Sequence, residues 1–72
     1  MDMRRLVGRN VLRARLATGL SQEVVGERSG HSQQYISDLE NGKLNPTIIV
    51  LYEIAQVLGV TPAELLTPAS SS

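Results

Sequence analysis

The sequence predicts an all-α domain, five short helices closed around one compact aliphatic core. Three observations lead there. Glycines recur at positions 19, 30, 42 and 59, and each is soon followed by a hydroxyl side chain suited to cap a helix N-terminus: Ser21, Ser32, Thr47 and Thr61. No segment alternates apolar and polar residues with the period of two that a half-buried strand needs. Val, Ile and Leu supply 21 of the 72 residues while Phe, Trp and Cys are absent, enough for one small core without a disulfide framework.

The elements follow in order. A first helix over 3–18 places Val7, Val11 and Ala14 on one stripe, with Leu12 and Leu16 on the adjacent one, and stops at Gly19. A second, over 22–29, starts after Ser21 and contributes Val24 and Val25; a third, over 33–41, starts after Ser32 and contributes Ile36 and Leu39. The fourth, over 48–58, offers Ile48, Leu51, Ile54, Ala55 and Leu58. Thr61-Pro62-Ala63-Glu64 joins an N-cap, a proline at the first helical position and a capping-box glutamate, so a fifth helix runs over 62–66 and closes the core with Leu65 and Leu66. Helices below about 12–15 residues are marginal alone in water, so these must fold as a unit. Residues 1–66 are read as one domain and 67–72 as a flexible polar tail.

Several function classes fall away. No apolar run approaches the roughly 20 residues of a membrane span, no hydrophobic leader follows Met1, and the cytoplasm is the default. A single histidine and no cysteine give no metal-ligand spacing, and no nucleophile–base pair or paired carboxylate points to an enzyme. No cofactor, metal or small-molecule site is indicated. Net charge is zero, but it is polarised: six Arg against three carboxylates leave +3 in residues 1–36, and one Lys against four carboxylates leaves −3 in residues 37–72.

Gln22 to Asn41 carries the chemistry. Two short helices meet at Ser29-Gly30-His31, with Gly26 on the inner face of the first, where a side chain would hold the pair apart. This is the spacing of a helix-turn-helix, whose second helix can enter the DNA major groove. Gln33 and Gln34 open that second helix, and a glutamine amide matches the N6 and N7 edge of adenine. Ser37 and Asp38, four residues on, share their exposed face.

Leu20-Ser21-Gln22-Glu23, Ser29-Gly30, Tyr35-Ile36-Ser37, Leu39-Glu40-Asn41-Gly42-Lys43, Asn45-Pro46 and Leu58-Gly59-Val60 together resemble the Cro/CI-type (XRE-type) helix-turn-helix domains of phage repressors and bacterial regulators. The resemblance runs from about Val7 to Leu66 and implies a lambda-repressor-like five-helix domain that binds double-stranded operator DNA as a two-fold homodimer. It implies base contacts for Gln33, Gln34, Ser37 and Asp38, and phosphate contacts for Gln22, Ser32, Asn41, Lys43 and Asn45. Arg15 and Glu40 match an ion pair tying the first helix to the end of the third. His31 stands where the family has an aliphatic residue and is expected to be structural. Gly26 replaces the family's usual alanine, at an expected cost of about 0.5–1 kcal/mol of helix stability.

The fourth helix has more apolar surface than one face can bury. Ile49, Tyr52 and Val57, with Val60, Pro62, Leu65 and Leu66 beyond it, are therefore the candidate dimer interface. A two-fold axis there would set two recognition helices about 34 Å apart, one helical turn of DNA. The expected function is a sequence-specific transcriptional regulator, a repressor, controlled by its own level or by a partner. The alternative is a protein-interaction module such as an antitoxin, with DNA binding secondary.

Overall fold

The computed structural model describes residues 2–68. It holds five helices: α1 (Met3–Thr18), α2 (Gln22–Ser29), α3 (Gln33–Glu40), α4 (Ile48–Leu58) and α5 (Pro62–Leu66), with no strand among the described residues. The boundaries are set by local chemistry. Ser21, Ser32, Thr47 and Thr61 each accept, through the side-chain oxygen, the backbone N–H three residues on. Thr61 and Glu64 complete a reciprocal capping box. α3 stops one residue short of the expected 41, because Asn41 forms its C-cap and donates Nδ2 to the Ser37 carbonyl at 2.9 Å.

The N-terminal cap of α1 is Asp2, which the sequence reading passed over. Its Oδ1 accepts from the Arg4 backbone N–H at 3.0 Å, and that bond holds the carboxyl below its ordinary range. The cap is therefore intact above the usual aspartate pKa and is lost as pH falls through the lowered value.

Val7, Val11, Val25, Ile36, Leu39, Leu51, Ile54, Ala55, Leu58 and Leu65 form the buried core. α2 and α3 pack on one another across the turn, α1 lies against α3 and α5, and α4 against α2 and α5. Four expected core residues lie outside: Leu12 and Val24 are half-buried without joining the core, Leu16 is exposed near the end of α1, and Ile48 is 65% exposed in the first turn of α4, one turn before the buried Leu51.

Two helical glycines fix the close approaches. A Cβ at Gly26 would stand 2.8 Å from the His31 carbonyl oxygen and 3.0 Å from the Ser32 carbonyl group, so the turn leading into α3 rests directly on α2. The expected gain from alanine at this site is therefore offset by backbone crowding. At Gly8 the same Cβ would stand 2.3 Å from the Leu39 carbonyl oxygen, so α1 touches the end of α3 backbone to backbone.

Asn10 is the other feature that the sequence reading missed. Buried in α1, it donates Nδ2 to the carbonyls of Leu65 and Thr67, each at 2.9 Å, which carry the chain end of α5. Thr67, expected to open a free tail, is thus held to the body, and its hydroxyl donates to the Ala63 carbonyl at 2.6 Å. Pro68 is exposed, and the rest of the expected tail, 69–72, lies outside the described residues. Asn10→Ala removes the one side-chain donor that serves these carbonyls among the described residues and is expected to cost about 1–3 kcal/mol, read as a lower urea midpoint with earlier amide exchange in α5.

Candidate nucleic-acid interface

α3 is a short rod with one face locked inward. Ile36 and Leu39 are wholly buried, which fixes its rotation, and the Ser32 hydroxyl accepts from the Tyr35 N–H at 3.0 Å, which fixes its start. Gln33 and Gln34 are left exposed at the leading end, while Ser37 and Asp38 are half-buried one turn later. Gln34 Nε2 donates to Asp38 Oδ1 at 2.9 Å. That bond orients one of the two amides and gives Asp38 a local partner. Gln33 makes no side-chain hydrogen bond among the described residues, so its amide is open to a ligand.

The residues expected around phosphate fall into two groups. Ser32, Asn41, Lys43 and Asn45 are exposed, at the start of α3 and along the segment that follows it. Gln22, at the first turn of α2, is half-buried and donates Nε2 to Glu40 Oε1 at 2.9 Å, so part of its amide is used inside the protein.

That bond joins a bidentate pair. Arg15 Nε reaches Glu40 Oε2 at 2.6 Å and Nη2 reaches Oε1 at 3.0 Å, while Nη1 donates to the Leu20 carbonyl at 3.1 Å. The Glu40 side chain is only 4% exposed. Hydrogen bonding to Glu40 raises the pKa of Arg15 above its ordinary value. The three side chains thus tie α1, the start of α2 and the end of α3 at one point.

His31 acts as a flat packing body. Its ring stacks on Tyr35 with centroids 4.7 Å apart, and Nε2 lies 3.3 Å from Glu53 Oε1, which links the turn before α3 to α4. Burial, with the Glu53 charge adding to it, pushes the Tyr35 phenol above its ordinary pKa.

The candidate dimer residues divide as well. Ile49 and Tyr52 are exposed on α4, at 67% and 53%, and Ile48 joins them. Val57, Val60, Pro62 and Leu66 are half-buried. Leu65 leaves the set: it is 1% exposed, turned into the core by a single-turn helix whose carbonyl end Asn10 holds down. Among the described residues no helix is long and apolar enough to cross a membrane.

Comparison with known proteins places this geometry. Residues 11–65 match the helix-turn-helix family HTH_3. The chain is 58% identical, over all of its length and 94% of the relative's, to the HTH-type transcriptional regulator y4dJ of Sinorhizobium fredii. Its structure is similar to that of a hypothetical transcription factor NHTF from Neisseria, with a TM-score of 0.88 and 30% identity over 93% of this chain and 77% of that one. It is also similar to the restriction-modification controller protein C.AhdI of Aeromonas hydrophila, with a TM-score of 0.82 and 31% identity over 86% of this chain and 90% of that one. The chain belongs to the XRE-type helix-turn-helix family and is a transcriptional regulator with a helix-turn-helix DNA-binding domain.

Proposed function

We propose that this regulator binds a specific double-stranded operator as a two-fold homodimer, with α3 in the major groove, and represses by occupying its site. The observation that carries the reading is the pair of exposed amides, Gln33 and Gln34, at the leading end of a helix whose opposite face is fully buried. Rigid placement matters because a bidentate amide–adenine contact needs the side chain held in register with the base edge. Ser37 and Asp38 extend the readout; Gln22, Ser32, Asn41, Lys43 and Asn45 hold the phosphates and set the docking angle. A body with principal extents of 32 × 22 × 19 Å, bound over a promoter, is large enough to exclude another protein from it. It acts by binding, without catalysis, in the cytoplasm beside its DNA.

Selection of bound duplexes from a random DNA pool tests this. A half-palindrome repeated about one helical turn apart is the expected result. Gln33→Ala and Gln34→Ala should each lose roughly 1–3 kcal/mol of discrimination at one base position. An unchanged base preference in both variants would remove them from the readout.

The dimer contact is assigned to the exposed α4 face, Ile48, Ile49 and Tyr52, continued by Val57, Val60, Pro62 and Leu66. The double variant Ile49→Glu, Tyr52→Glu should keep its circular dichroism, since both side chains already face water, and sediment as a monomer at micromolar concentration. A dimer of undiminished strength would put the two-fold axis elsewhere.

A further inference from the structure

α1 carries positive charge that its internal pairing does not use. Arg4 lies 3.7 Å from Asp2, and Arg15 is bound to Glu40, but Arg5 and Arg9 have no carboxylate within 4.0 Å among the described residues. Both are exposed, and at a spacing of four they rise from one face of the helix. With Leu12, Glu40 and Asn41 they line a depression of about 280 Å³ between α1 and the end of α3. The walls are in direct contact: a Cβ at Gly42 would stand 3.0 Å from Arg5 Cγ and 3.3 Å from Arg5 Cα. The start of α1 and the turn after α3 are therefore one continuous surface.

The two carboxylates bordering this surface are already engaged. Glu40 gives Oε1 to Arg15 and Gln22 and Oε2 to Arg15. Asp2 is the α1 cap, accepts from the Arg4 N–H and pairs with Arg4. Asn41 spends one amide N–H on the Ser37 carbonyl and keeps the second.

We infer that Arg5, Arg9 and the Asn41 amide form a phosphate-binding cradle that takes the DNA backbone flanking the bases under α3. This rests on the DNA-binding reading above. Guanidinium groups present planar forks that match phosphate oxygens, and two of them one turn apart, with an amide lining the same depression, bind an anion without reading any base. The cradle supplies part of the electrostatic grip that a chain with a single lysine cannot draw from lysine.

The test is fluorescence anisotropy at 50–200 mM salt with two probes, a duplex recovered by selection with the wild-type protein and a 30-base-pair duplex of mixed sequence. Arg5→Gln combined with Arg9→Gln should weaken both by the same factor, about 10-fold at the lowest salt, and reduce the slope of log K against log salt by about 2. Arg13→Gln removes an equal charge from a side chain lining the separate groove between α1 and α5, and should move the slope by less than about 0.5. A wild-type protein that binds neither duplex refutes the DNA reading itself. A wild type that binds while the double variant keeps its slope overturns the cradle alone. So does a loss confined to the selected duplex, which marks a base contact, or an Arg13→Gln slope change of about 1 or more, half of that expected for the double variant.

Discussion

Replacing Gly8 with alanine is expected to lower the stability of the domain by about 2–3 kcal/mol, a large share of the roughly 4–11 kcal/mol that a chain of this length holds. The new Cβ would stand 2.3 Å from the Leu39 carbonyl oxygen, 2.8 Å from that of Glu40 and 3.0 Å from the Glu40 carbonyl carbon. The first contact lies roughly 1 Å inside ordinary van der Waals separation. All three atoms are backbone at the end of α3, so no side-chain rotation relieves the clash. Relief requires α1 and α3 to separate, which loosens Val7, Val11, Ile36 and Leu39 together. Alanine returns about 1 kcal/mol of helix propensity, and the estimate is net of that gain. Gly26→Ala is the milder comparison, since its nearest backbone neighbour is at 2.8 Å and belongs to a turn with more freedom to shift. Urea unfolding checks both. A Gly8→Ala midpoint equal to or above that of wild type would falsify the close approach.

The contrast between Gly8 and Ser32 shows which parts of the fold can be read from sequence. Caps are local: the Ser32 oxygen and the Tyr35 N–H it accepts are three residues apart, so helix starts follow from short strings. Gly8 depends on Leu39 and Glu40, and Asn10 on Leu65 and Thr67, partners that only the folded chain brings near. A signal existed for each, a glycine inside a long helix and a polar residue between Val7 and Val11 on the core side of α1. α4 failed differently. Ile48, Ile49, Val50, Leu51 and Tyr52 are apolar in succession, so periodicity names no buried face, and Ile48, expected inside, lies outside. At the interface, spacing already set Gln34 and Asp38 on one face, but not that they bond to each other. The involvement of Gln22 with Glu40 had no local signal, because it depends on how α2 meets α3.

Arg15→Met is expected to destabilise the domain by about 3 kcal/mol, because it leaves the Glu40 carboxylate buried with only Gln22 as a side-chain donor among the described residues. Removing both charges, Arg15→Met with Glu40→Met, should return stability to within about 1 kcal/mol of wild type, since two apolar side chains of similar volume require no desolvated charge. Stability and DNA affinity then separate. In the double variant Gln22 loses the carboxylate that holds its amide at the start of α2, and the end of α3 loses its tie to α1. Operator binding should therefore stay at least about 10-fold weaker than wild type despite the recovered fold. The sign of the pH dependence follows from Arg15. Its pKa is raised in the folded state, so its contribution is fully present below the ordinary arginine value and is lost only as pH rises through the raised one. The gap between wild type and Arg15→Met should accordingly show no contribution from Arg15 ionisation near neutrality. If the double variant binds operator as tightly as wild type, the ion pair contributes stability alone, and the docking of α2 and α3 on DNA is set by the core.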